Sequence, residues 1–313
     1  MGGVRWDPSA WEEHAATVAT KAPEEIFTST DMTDALNPVK IKFRESRDSE
    51  ANPNATPIIL ACDVTGSMGM IADHIVRQGL GTLVEEIIKR KPVPDPHIMC
   101  MGVGDANYDR APLQVTQFEA DIRIAKQLAE IYIEHGGGGN CFESYNLPWF
   151  FAATKTRLDC VEKGRRKGLL FTLGDEEAPA PLTADQIRRY VGEDVGEGLS
   201  NEALLEMVGR MYDVFHVIVE EGDYARRSRS SVVNSWNKTL GLGRVIRLSD
   251  HTKLAEVIVS AIQAHEGQDK AVVAKSWDGS TGLVVRDAIA GIGGGTALMA
   301  KPGVVRAKMR GGR

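Results

Sequence analysis

The stretch Pro57-Ile58-Ile59-Leu60-Ala61-Cys62-Asp63-Val64-Thr65-Gly66-Ser67-Met68 constrains this chain more than any other. Its first half is a run of β-branched and aliphatic residues, the pattern of a strand buried on both faces. Its second half is Asp-x-Thr-x-Ser, so oxygen-bearing side chains at alternate positions stand where that strand ends. Carboxylate and hydroxyl oxygens suit a hard divalent cation such as Mg²⁺. In an open α/β sheet the carboxyl ends of the strands are where ligands are held.

The remaining periodicity supplies the rest of such a sheet. Apolar strand-like runs recur at 97–103, 113–118, 168–173, 214–219 and 244–248. Helical stripes occupy 71–90, 122–135, 147–163, 183–190, 200–211 and 253–264. In the first stripe Ile71, Ile75, Leu80, Leu83, Val84, Ile87 and Ile88 share one broad face, and Pro92, Pro94 and Pro96 end it. Strands alternating with amphipathic helices predict a doubly wound, mostly parallel six-stranded sheet with helices on both faces, Rossmann-like in plan. The 113–118 run follows a short loop and is expected to be an antiparallel edge strand. Val39 to Arg44 alternates and reads as a further edge strand. The predicted layout is an N-terminal extension over 1–52, one α/β domain over 53–266, and a Gly-rich tail over 267–313.

Charge separates that tail from the body. The chain carries −6 overall. Residues 268–313 hold eight Lys and Arg against three Asp, a net of +5, so the remainder carries −11. Such asymmetry bears on partners rather than on fold. No uninterrupted apolar stretch approaches a membrane span, and no secretory signal opens the chain, which predicts a cytoplasmic protein. Cys62, Cys100, Cys141 and Cys160 form no CxxC pair and read as thiols in a reducing compartment. The histidines show no metal-binding spacing. Arg226-Arg227-Ser228-Arg229 lacks interleaved aromatics and reads as a solvated loop, which argues against nucleic acid as a partner.

Two further segments are placed at the same sheet edge as Asp63. One is Gly136-Gly137-Gly138-Gly139-Asn140-Cys141-Phe142-Glu143-Ser144; the other is Gly174-Asp175-Glu176-Glu177. Together with Asp63, Thr65 and Ser67 they offer hydroxyl, amide and carboxylate oxygens for one octahedral Mg²⁺. Asp105 closes the neighbouring strand and reads as a solvated loop carboxylate.

With these three segments in order, the chain resembles a von Willebrand factor type A domain with its metal-ion-dependent adhesion site, of the intracellular bacterial or phage type. The resemblance covers about 53–266. The family's first motif is Asp-x-Ser-x-Ser, matched by Asp63, Thr65 and Ser67 with one hydroxyl-preserving change. Asp175 matches the acid after the fourth strand. The family's Thr in the Gly-rich loop is absent, and either Asn140 or Glu143 stands in for it. The resemblance implies a resident Mg²⁺, with Mn²⁺ or Ca²⁺ as substitutes, and a coordination position completed by an Asp or Glu of a partner protein. It further implies an adaptor working beside a MoxR-type AAA+ ATPase, and no catalysis. Two other readings follow from the same residues. Asp63 could be the nucleophile of a Mg²⁺-dependent phosphatase or phosphotransferase, although Thr65 replaces the second Asp that such enzymes use as general acid. The acidic body and basic tail would also suit an assembly subunit of a phage or multiprotein complex.

Overall fold

The computed structural model describes residues 6–65, 68–133 and 142–294. Its centre is a six-stranded sheet, built as the hydrophobic pattern predicts. Numbered in chain order, the strands are β1 (Arg44–Ser46), β2 (Thr56–Asp63), β3 (Pro96–Val103), β4 (Leu113–Val115), β5 (Thr156–Leu158), β6 (Gly168–Gly174), β7 (Tyr212–Val219) and β8 (Val245–Leu248). The main sheet runs β4-β3-β2-β6-β7-β8, parallel except for the β3–β4 pair at one edge.

β2 is buried along its whole length because both of its faces carry apolar side chains. Ile58, Leu60 and Cys62 point into one core. Ile59 and Ala61 point into the other. The first core is covered by helices Leu80–Arg90, Arg123–Ala129 and Leu254–His265, the second by Asn146–Lys155, Ala184–Val191 and Asp223–Leu240. β2 therefore has β3 on one flank and β6 on the other, and the order reverses beside it. That is the switch point at which doubly wound sheets open a crevice at the strands' carboxyl ends. The three described cysteines, Cys62, Cys100 and Cys160, are buried and free. Cys141 lies outside the described residues. No helix of the described residues is long and apolar enough to cross a membrane.

Several local expectations are corrected. Val39 to Phe43 forms no strand; the extended segment is β1, which pairs in parallel with β5 as a separate two-stranded sheet. The same pairing breaks the stripe over 147–163 into helix Asn146–Lys155, β5 and a short helix Asp159–Glu162. Thr156 and Leu158 are buried there as strand residues, so tertiary pairing overrides the helical period. The 122–135 stripe is helical only over Arg123–Ala129 among its described residues. The first long stripe is continuous except for one π-helical turn, Ile75–Gly79, between helices Gly69–His74 and Leu80–Arg90.

Arg226 to Arg229 lies in the helical segment Asp223–Leu240 rather than in a loop, at a kink where Ser228 leaves helical geometry (φ −131°, ψ 28°). Its buried residues are only Ala225, Val232 and Trp236, too sparse for a readable stripe. The segment read as a tail begins with two helices, Lys270–Lys275 and Gly279–Ile289. Val273, Ala274, Val285, Ala288 and Ile289 join the core against Leu254–His265. The N-terminal residues are tied in equally firmly. Lys155 Nζ donates to the carbonyls of Pro38 and Ile41 at 3.0 Å each. Asp48 pairs with Lys163 and Arg165.

Candidate metal centre

Asp63 is the last residue of β2 and is 1% exposed. Cys62 lies beside Leu173 in the β2–β6 register, so Asp63 and Asp175 leave the sheet on neighbouring strands. Glu143 reaches them through a loop pinned on both sides. Ser144 N donates to the Gly104 carbonyl at 3.1 Å, beyond β3, and Phe142 bridges Glu177, beyond β6. The structure thus gathers Asp63, Thr65, Glu143 and Asp175 at the switch-point crevice. Ser67 and Asn140 lie outside the described residues.

Hydrogen bonds order these groups. Thr65 N donates to Asp63 Oδ1 at 2.8 Å. Thr65 Oγ1 lies 2.7 Å from Asp63 Oδ1 and 3.2 Å from Glu143 Oε1, and its single proton serves one of them at a time. Tyr145 Oη donates to Asp63 Oδ2 at 3.3 Å. Asp175 Oδ2 accepts from Tyr224 N at 2.8 Å. Gly174 is obligatory at the end of β6, since a Cβ there would overlap the Tyr145 ring and hydroxyl.

Sequence reasoning missed part of the cluster. Asp105 is not a solvated loop carboxylate: it is 1% exposed, and Asp109 beside it is also buried. Asp109 Oδ2 accepts from Asp105 N at 2.6 Å. Glu176 contributes a further carboxylate whose Oε2 is buried. Asp109 carried no signal, because it sits in an irregular turn with no motif around it. Glu176 was legible only as part of its segment.

Electrostatically the cluster is under-compensated. Burial pushes the Asp63 carboxyl up to about 7; the Thr65 N–H and O–H hold it down, while Asp175 raises it further. Burial, then Asp63 and Glu176, push Glu143 up further still. Glu176 rises to about 8 through burial and then Asp63 and Asp175. Burial also raises Asp175, against the backbone N–H groups of Tyr224 and Ala225. Among the described residues, Glu143 Oε2 and Glu176 Oε2 are buried without a hydrogen-bond partner. A buried, unpaired carboxylate oxygen is costly. Either protons or a cation must relieve it, and an all-oxygen donor set fits Mg²⁺, Mn²⁺ or Ca²⁺. Asp63, Thr65, Glu143 and Asp175 would hold such an ion; when bound, it would supply a strong positive charge that attracts an anionic ligand.

An aromatic floor supports the centre. His216 stacks on Trp236 with ring centroids 3.5 Å apart, and Tyr145 meets both rings edge-on. His216 Nδ1 lies 2.9 Å from Thr172 Oγ1, and burial pushes its pKa well down, so the ring is neutral. Trp236 Nε1 donates to the Glu176 carbonyl at 2.8 Å.

Gly222 gives a local test. A Cβ there would overlap the Asp175 side chain, just before the helix whose Tyr224 N holds that carboxylate. Gly222→Ala is expected to cost about 1–3 kcal/mol and to weaken Mg²⁺-dependent stabilisation. Thermal unfolding with and without Mg²⁺ checks both, and a wild-type profile would remove Gly222 from the argument.

Compared with known proteins, the chain matches no family model and no curated protein. Among solved structures it is similar to the pilus adhesin SpaC from Lactobacillus rhamnosus GG. One crystal form matches with 10% identity and a TM-score of 0.46, covering 69% of this chain and 32% of the adhesin. The open conformation matches with 11% identity and a TM-score of 0.38, covering 70% and 31%. The chain therefore spans about a third of that adhesin's length. A likeness of this degree carries no argument about function.

Proposed function

We propose that this chain is a Mg²⁺-dependent protein-interaction module of the von Willebrand factor type A kind, and that it works inside the cell. Its metal centre would be built by Asp63, Thr65, Ser67 and Asp175, with Glu143 or Asn140 in the Gly-rich loop. What carries the reading is the set of buried carboxylates at the switch-point crevice, two of whose oxygens have no partner among the described residues. The ion offsets their repulsion, and an Asp or Glu of a partner protein completes its coordination. Glu143, whose Oε1 already approaches Thr65 Oγ1, is the internal acid that the partner's carboxylate competes with. The partner class that best suits the reading is a MoxR-type AAA+ ATPase, for which the module acts as an adaptor.

A phosphotransfer role for Asp63 finds less support. The residue two positions on, Thr65, engages Asp63 itself rather than standing ready as a general acid. Hydrolysis of a generic aryl phosphate that depends on Mg²⁺ and is lost in Asp63→Asn would reverse this preference.

The test of the interaction is capture of a purified MoxR-type ATPase by wild type and by Asp63→Ala, each in Mg²⁺ and in chelator. Capture by wild type in Mg²⁺ alone is the expected result. Equal capture in chelator would rule out a metal bridge.

A further inference from the structure

Helix Pro8–Val18 packs against the π-helical turn Ile75–Gly79 and helix Leu80–Arg90, and a trench of about 330 Å³ runs between them. Its walls are apolar, with Trp6, Trp11 and Ala15 facing Val84 and Ile88. Ile88 is 43% exposed. Among the described residues that line the trench, Glu12 and Glu85 alone are charged, and both are exposed. Past Trp6 and Ile88 the trench meets a hollow of about 580 Å³ beside Val93 and Pro96, where β3 begins. There Lys91 and Asp95 bring one charge of each sign. Trp6 holds the junction in place: its Nε1 donates to the Pro96 carbonyl at 3.0 Å, and its ring centroid lies 5.8 Å from that of Trp11.

A concave apolar trench with an acidic rim suits an occupant that is both apolar and basic. The chain contains such a segment. Residues 295–313, beyond those described, hold Lys301, Arg306, Lys308, Arg310 and Arg313 and no acid, interleaved with Leu298, Met299, Val304, Val305 and Met309. They carry +5 of a total of −6, which leaves −11 on residues 1–294. The segment is also tethered at a suitable edge. Gly293 N donates to the Gly243 carbonyl at 3.0 Å, just ahead of β8, and Ile292 is buried in the core. β3, β2, β6, β7 and β8 are parallel, so the starts of β8 and β3 share one edge of the sheet. Four strand spacings separate them, about 19 Å, and a 19-residue segment extends to about 60 Å. The hollow beside Glu220 and Asp223 fits the segment less well. Its lining is wholly polar, and Arg229 and Arg226 already pair with those acids.

We propose that residues 295–313 dock in this trench of their own molecule, with their cations against Glu12 and Glu85 and their apolar side chains on Trp6, Ala15 and Ile88. Docked there, the segment links helix Gly279–Ile289 to helix Pro8–Val18. The proposal does not rest on the reading of the Asp63 centre.

The experiment places the photo-crosslinker p-benzoylphenylalanine at Met299 of the full-length protein and, in a separate preparation, at Val305. Each is irradiated at low protein concentration, and the products are mapped by mass spectrometry. Crosslinks within one molecule to helix Pro8–Val18 or helix Leu80–Arg90 are expected. Glu12→Lys with Glu85→Lys should cut their yield about fivefold or more. Adding Lys301→Glu and Arg306→Glu to that chain should restore it. Salt at about 0.5 M should weaken wild-type crosslinking in the same direction without any substitution. Both glutamates are exposed, so thermal unfolding of the variants should match wild type. Crosslinks scattered over the body, none from either position, or a yield indifferent to the charge reversals would overturn the proposal. So would trench crosslinks that join two chains, which would assign the trench to a second copy.

Discussion

In chelator, the protein is expected to lose stability as pH rises from about 5 to about 8, by about 2–4 kcal/mol, and Mg²⁺ is expected to restore most of it. The sign follows from the raised carboxyls. Asp63 holds its proton in the fold up to about 7, whereas in the unfolded chain it releases it near the ordinary value of about 4. Its contribution is therefore full below the unfolded value and disappears as pH climbs through the folded one. Glu176, pushed to about 8, extends the loss upward. A bound cation replaces the protons and flattens the profile, adding about 2.7 kcal/mol at a hundredfold excess over Kd. Asp63→Asn separates cause from correlation. Asparagine keeps an oxygen for the Thr65 N–H and hydroxyl but removes one buried charge. The variant should be more stable than wild type in chelator at about pH 8, by about 1–3 kcal/mol, yet insensitive to Mg²⁺. Thermal unfolding across pH, with chelator and with Mg²⁺, reads all of this. A flat wild-type profile in chelator, with no response to Mg²⁺, would show that the carboxylates need no counter-charge.

Trp236→Ala is expected to cost about 3–5 kcal/mol, in the range of large core truncations. Trp236 is fully buried, stacks on His216 and meets Tyr145 and Trp149 edge-on. Its removal leaves a cavity directly beneath the residues that position Asp63 and Glu176. Mg²⁺ affinity should fall with stability, because Tyr145 loses its backing and the Glu176 carbonyl loses a donor. Trp236→Phe keeps most of the ring packing and forfeits the hydrogen bond, so about 1 kcal/mol is expected. Denaturant unfolding distinguishes the two. A cost below about 1 kcal/mol for alanine would mean that the floor collapses without consequence.

How much of this was legible depended on whether a residue's environment is set locally. β2, β3, β6 and β7 are mostly apolar runs buried on both faces, and such runs announce themselves. Asp63, Thr65 and Asp175 follow directly from where those runs stop. Asp105 and Asp109 did not, because their environment is set by contacts distant in sequence; Ala106 N, for instance, donates to Ser144 Oγ at 2.9 Å. β1 and β5 were unreadable for a similar reason. Three residues each, they are strands only because they meet across more than a hundred positions of sequence. Helix Asp223–Leu240 hid behind a polar surface, anchored by three buried side chains.

That small parallel pair makes the described residues ahead of β2 a girdle around the main sheet. Arg44 ties it to the main sheet by donating to the Val115 carbonyl at 2.9 Å, and Trp11 enters the core on the opposite side. A fragment trimmed to start at the first long strand would strand β5 without its mate and uncover apolar surface on both flanks. Anyone expressing the main-sheet portion alone should expect insoluble material, and should begin the fragment ahead of Trp6.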